Sequence, residues 1–291
     1  MTRITQAGLG FNTERNLQSA MERLATIQNK ASTQKQINSP SDDPAGTATA
    51  MQVRSEQRQN DQFSRNAADA IGWLSTADAT LSTTTDLLQR TRDLVLRGAN
   101  DGALNQEAKN AIAMELEQLH EELKVAANTQ YNGRLIFAGS SNASTAVGAT
   151  NQFLDGSPVE RRVGPNSNVR VDVSGSAVFG EGADSVFATV LSIAQDLRAG
   201  DSISARVAEV DTHLQAVLGE QVKIGVRHAS VQTAESKLAT DAVTLQGKLG
   251  SVEDIDLASM ILQLKSQEVA YQAALSAASR TLQPSLMDFL R

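Results

Sequence analysis

From Ile203 onward, apolar residues recur in alternating steps of four and three. The positions are Ile203, Val207, Val210, Leu214, Val217, Gln221, Ile224, His228, Val231, Glu235, Leu238, Ala242, Leu245 and Leu249. Only Gln221, His228 and Glu235 break the series, so one stripe persists over a helix about 70 Å long at 1.5 Å per residue. The same count runs through Ala67, Ala70, Leu74, Ala77, Leu81, Thr84, Leu88, Thr91 and Val95. Shorter rows run through Leu17, Ala20, Leu24, Ile27 and Ala31, and through Leu257, Ile261, Leu264, Glu268, Tyr271, Leu275, Ala278 and Leu282. Sustained 3.5-residue spacing keeps one face of a helix against a partner over many turns, which argues for coiled-coil packing. The prolines permit it. They stand at 40, 44, 158, 165 and 284, leaving two runs of more than 110 residues in which nothing forces a helix to stop.

The breaks carry turn chemistry. Asp101-Gly102 separates the second helical row from a third helix near 105–128, and Asn132-Gly133 follows that helix. Between 140 and 182 the pattern changes to alternation: in NVRVDVSG (168–175), Val169, Val171 and Val173 share one face at period 2. With Asp155-Gly156 and Pro165 as turn signals, this predicts a β insert of three or four strands. Helical pattern returns near 184–198. GKLGS (247–251) reads as the end of the long helix, with Ser251 and Asp254 as a capping pair opening the last one.

The expected fold is mainly α: an elongated antiparallel coiled-coil or helical-bundle rod with a small central β insert at its tip. Residues 1–36 would pack antiparallel to 252–283, and 45–97 to 203–249. The expected division is 1–44 as the N-terminal helix of a terminal domain and 45–139 as half of a helical rod. A small β domain at 140–182 follows, then 183–249 as the other half of the rod and 250–291 as the C-terminal helix.

Composition excludes several function classes. The formal charge is −7 without a basic stripe, which disfavours nucleic acid. No apolar run approaches the roughly 20 residues of a bilayer span, so no membrane insertion is expected. The N-terminus has no apolar signal core. Cysteine is absent, which removes thiolate catalysis, disulfides and cysteine-held metals. His120 stands in LHEEL, which is not a zinc-binding HExxH, and lies far in sequence from His213 and His228. Trp73 reads as half-buried packing beside a seam. No catalytic, cofactor or metal constellation can be assembled, so an enzyme is not expected.

INSPSDDPAG (37–46) reads as a joint. Ser39-Pro40 disfavours α conformation at Ser39, ending the first helix. Asp43 suits an N-cap, Pro44 the first helical position, and Asp42 and Asp43 the positive end of a helix dipole.

The joint residues Asn38, Pro40, Ser41, Asp42, Asp43 and Pro44 resemble the NSPSDDPAG-type motif of the flagellin superfamily. The opening MTRITQ is similar to that superfamily's start. YNGRLIFAGS (131–140) resembles its signature at the mouth of the β insert through Asn132, Gly133, Arg134, Phe137 and Gly139, with Leu135 in place of an aromatic. The ending QPSLMDFLR resembles that of the hook–filament junction branch. The prolines at 40 and 44, the short insert and this ending favour that branch over the filament subunits.

The resemblance implies a structural protein of the extracellular bacterial flagellum, exported through its channel without a cleaved signal peptide. Its implied partners are a preceding hook-associated protein, flagellin, copies of itself in a ring, an export chaperone and the flagellar export apparatus. The terminal helices would order on assembly, through Leu9, Leu17, Leu24 and Ile27 at one end. At the other end the stripe is Leu257, Ile261, Leu264, Tyr271, Leu275, Leu282, Leu286 and Phe289. Filament subunit is the alternative within the superfamily. A self-standing coiled-coil adhesin or translocator, fully folded as a monomer, is the alternative of another class.

Overall fold

The computed structural model describes residues 2–100, 104–154 and 156–282. Among these the chain is mainly α, with helices α1 (Thr2–Thr33), α2 (Pro44–Gly98), α3 (Gln106–Ala127), α4 (Gly175–Phe179), α5 (Val186–Ala199), α6 (Arg206–Glu253) and α7 (Leu257–Leu282). Strands β1 (Gln130–Tyr131), β2 (Arg134–Leu135), β3 (Glu160–Gly164) and β4 (Ser167–Arg170) form two antiparallel two-stranded ribbons, β1–β2 and β3–β4. The chain divides into two compact units, Asn60–Asp241 and Met1–Gln59 with Ala242–Arg291.

In the unit Asn60–Asp241, α2 and α6 lie antiparallel. Asn60 Nδ2 donates to the Leu238 carbonyl at 3.0 Å, Gln221 Nε2 to Asp78 Oδ1 at 3.3 Å, and Arg92 Nε to Asp211 Oδ1. Every position of the row from Ala67 to Val95 is buried, polar Thr84 and Thr91 included. Each of those two threonines turns its hydroxyl onto the carbonyl four residues back, so its methyl faces the core. On α6 the strict sevens Val210, Val217, Ile224, Val231 and Leu238 are buried, whereas Gln221 and His228 of the interleaved positions are half-buried and Glu235 is exposed. Asn60 sits one heptad before Ala67 and is buried; an amide at such a position fixes register, because slipping by a turn would strand it in an apolar seam.

The non-helical part of this unit is held by aromatic rings. Phe179 lies 5.2 Å centroid-to-centroid from Phe137, 5.7 Å from Phe153 and 5.5 Å from Phe187. A chain with only ten aromatic side chains (seven Phe, two Tyr, one Trp) thus spends four of them at one point, where no long helix can supply a seam. The backbone fits closely there: a Cβ on Gly175 would stand 2.0 Å from the Phe153 ring. Val169, Val171 and Val173 are buried on one face as the alternation predicts, but α4 follows within the same stretch. Trp73 is fully buried rather than half-buried, edge-on to Tyr131, with the Arg161 guanidinium 5.8 Å from its ring centre. α3 packs on α5. His120 of α3 is edge-on to Phe187 of α5, and burial, helped by Lys124, holds its ring below the usual histidine range.

In the other unit, α1 and α7 pack antiparallel: Gln267 Nε2 donates to the Ala20 carbonyl at 3.4 Å, and Lys35 bridges to Asp254. α1 ends at Thr33, six residues before Ser39, because Gln34 turns left-handed (φ 57°) and the chain enters that bridge. At the other end, α6 runs through Gly247 and Gly250 to Glu253 instead of stopping at GKLGS. Ser251 Oγ bonds back to the Lys248 carbonyl, and Asp256 is the residue that caps α7, accepting from Ala258 N at 3.0 Å. Glycine inside a packed helix costs only about 1 kcal/mol, and the buried Leu245 and half-buried Leu249 carry the seam past it. The predicted turn at Asp101-Gly102, Asp155, and the closing QPSLMDFLR with Leu286 and Phe289 lie outside the described residues.

Candidate assembly surfaces

The joint is a capped connector. Asp43 caps α2: Gly46 N donates to its Oδ1 at 2.9 Å and Thr47 N to its carbonyl at 2.9 Å, with Pro44 at the first helical position. Asp42 Oδ2 closes the preceding turn, accepting from Ser39 N at 2.9 Å and Asn38 N at 3.0 Å; those amides hold its carboxyl below the usual range. Ser39 Oγ and Ser41 Oγ share a hydrogen bond of 2.5 Å. Pro40 lies in the same turn.

A second element of the joint was not visible in the sequence. Glu253, only 4% exposed, accepts from Lys35 Nζ at 2.9 Å and pairs with Arg54 Nη2 at 2.8 Å. Gln36 N donates to the Glu253 carbonyl at 2.6 Å, and Ile255 N to the Gln34 carbonyl at 3.4 Å. The α1–α2 and α6–α7 connectors are therefore stitched together at one carboxylate. Partners 218 and 199 residues away leave no local signal.

Burial alone would raise the Glu253 carboxyl, but Lys35 and Arg54 outweigh it and hold it below the ordinary value of 4.5. A lowered folded-state value means the contribution is present above 4.5 and is lost as pH falls below it. Glu253→Gln should therefore speed proteolysis within α1 and α7 about tenfold at neutral pH, equivalent to about 1.4 kcal/mol. Circular dichroism during acidification should show wild-type helix content falling below pH 4.5 and the variant losing that dependence. Equal proteolysis rates would mean the ion pairs do not hold these helices.

The terminal helices bury little against each other. Ala20, Met260 and Ala278 are buried; Leu17, Leu24, Ile27, Leu264 and Tyr271 are half-buried. The positions shared with the predicted row are 264, 268, 271 and 278, but Met260 and Ala274 turn inward rather than Ile261 and Leu275, and Gln267 is half-buried beside Glu268. Leu257, Ile261 (56% exposed), Leu262 (72%), Val269 (64%) and Leu275 are left open to solvent, with Phe11 and Met21 on α1. Leu9 and Leu282 lie in α1 and α7, and their side chains are outside the description. Helices of this length draw most of their stability from an amphipathic face packed on a neighbour, and here much of that face has none.

The signature at 131–140 serves packing. Asn132 (φ 50°) and Gly133 (φ 75°) make the two left-handed residues of a tight β1–β2 hairpin, for which Asn-Gly is the preferred pair. Arg134 opens β2, and Phe137 is fully buried. Gly139 (φ 54°) would bring a Cβ within 2.9 Å of two backbone carbonyls. Among the described residues no group of three His, Asp or Glu could hold a metal, and no helix is long and apolar enough to cross a membrane.

Long paired helices, capped connectors and an open apolar terminal face define a structural subunit rather than a pocket built around a ligand. Residues 4–142 match the family model for the bacterial flagellin N-terminal helical region. The flagellar filament 30.7 kDa core protein of Treponema maltophilum is 25% identical over 270 residues, spanning 92% of this chain and 89% of its own. The fold is shared with the flagellar hook-associated protein-3 of Legionella pneumophila (TM-score 0.62, 15% identity, 69% of this chain and 98% of that one). It is shared also with FlgL of Bacillus cereus (TM-score 0.60, 19% identity, 68% and 99%). Residues 4–142 thus match the flagellin N-terminal helical region, and over most of its length the chain is similar to a structural protein of the flagellar filament.

Proposed function

We propose that the chain forms the junction ring between the hook side of the flagellum and the flagellin filament. Its partners there are a preceding hook-associated protein, flagellin and further copies of itself. The observation that carries this reading is the open apolar row on α7, which needs neighbours to cover it. The near-complete coverage of hook-associated structures by this fold supports the junction position. Export unfolded through the flagellar channel, with a chaperone on the C-terminal helix, fits helices that gain their full partners only on assembly. The role is mechanical, without catalysis.

A second reading, filament subunit, is favoured by the full-length similarity to the Treponema filament protein. Deleting the gene separates the two. Bare hooks with flagellin released into the medium are the expected result. Absence of flagellin, with hooks and other junction proteins intact, would make this chain the filament subunit.

A further inference from the structure

We infer that the unit Asn60–Asp241 carries both halves of a head-to-tail contact between copies of this chain: an apolar ridge on α6 and a groove between α2 and α3. The inference rests on the assembly reading above and adds to it the faces that meet.

The ridge is Leu218, Val222 and Val226, spaced by four along α6, with Val222 68% and Val226 67% exposed. At about 100° per residue, the two valines point away from the inward-turned Val217 and Ile224. Gly225 lies beside them with open space where a Cβ would be, so a neighbour can come close to the α6 backbone. The groove has a volume of about 450 Å³ and is lined by Thr76, Ala79, Thr80, Thr83, Leu87 and Val125, among others. Its threonines look polar in sequence, but Thr76, Thr80 and Thr83 donate their hydroxyls to the carbonyls of Gly72, Thr76 and Ala79. Their hydrogen-bonding capacity as donors is thereby spent within α2, and methyl groups remain for an aliphatic visitor.

Charge favours a second copy as that visitor. Lys223 stands beside the ridge, about 60° around α6 from Val226, whereas Glu122 lines the groove and the exposed Asp86 adjoins Leu87. Lys223 pairs with Glu220 and is largely exposed, with two further ammonium donors to offer. Ridge and groove share no residue, so joining one to the other is heterologous and propagates into a ring or a helical array. Three aliphatic side chains cover only a fraction of the roughly 800 Å² per partner of a stable interface. The contact therefore works alongside others in an assembly.

The chain has no cysteine, so Thr83→Cys with Val226→Cys introduces its only thiols. Mild oxidation of the concentrated purified chain, and of isolated flagella, should give a ladder of oligomers from the double variant. The yield should exceed either single variant at least tenfold, with an unchanged circular dichroism spectrum confirming the fold. Lys223→Glu should cut the yield at least fivefold, and adding Glu122→Lys should restore it. No ladder in either preparation, a loss that Glu122→Lys does not repair, or flagella that contain the chain but give no ladder, would overturn the contact. A ladder from the purified chain with no chain in the flagella would leave the contact standing and remove the junction reading.

Discussion

Phe179→Ala is expected to lower the unfolding free energy by about 3–5 kcal/mol, the range for emptying a buried aromatic site. The thermal midpoint should drop by about 10 °C for a unit of this size. Phe179 touches three other rings, and a cavity at their centre cannot collapse without moving Phe137 off β2's continuation, Phe153 off its loop and Phe187 off α5. Phe179→Leu keeps most of the volume and should recover more than half of the loss. Calorimetry of both variants checks this. A loss below about 1 kcal/mol for the alanine variant would mean the rings do not hold the non-helical part together. Gly175→Ala tests the same site from the other side: its methyl would collide with the Phe153 ring, an overpacking cost of about 1–3 kcal/mol.

What could be read from the sequence divides along one physical line. Rows at spacing seven survive translation into structure almost residue for residue, because on α2 and α6 each strict seventh position has no other face to occupy. The interleaved positions survive on α2 but not everywhere: on α6 Glu235 is exposed, and on α7 Ala274, not Leu275, turns inward. A helix with 3.6 residues per turn drifts against a 3.5 repeat, and small side chains at Ala20 and Ala278 hold the phase only loosely. The caps at Asp43 and Pro44 were legible because capping is local. The Glu253 ion pairs and the Lys35–Asp254 bridge were not, since they join segments more than 190 residues apart and override the proline-based end of α1. The Phe137–Phe153–Phe179–Phe187 cluster was equally hidden: four single phenylalanines in four different segments have no period.

Ile261→Asp should leave the isolated chain nearly as stable as before and yet nearly abolish its incorporation into flagella. Ile261 is more than half exposed, so a carboxylate there remains hydrated in the free chain and stability should change by no more than about 0.5 kcal/mol. Once a neighbour covers the row, the same carboxylate is desolvated against apolar side chains, and the cation one turn on, Lys265, is already paired with Glu268. That penalty is about 3 kcal/mol or more per contact, near a hundredfold in affinity. Leu262→Asp and Val269→Asp should behave alike, whereas Met114→Asp, equally exposed but on α3, should incorporate normally. Quantitative immunoblots of isolated flagella against total secreted protein measure incorporation, and thermal unfolding of the purified variants measures stability. The two readouts separate the possibilities that matter. Lost stability together with lost incorporation would make the α7 row an internal packing face of the free chain. Unchanged incorporation would mean that no neighbour covers it, and the reading of α1 and α7 as assembly elements would fall. Only stability kept with incorporation lost fits a face left open in the monomer to be covered by the next subunit.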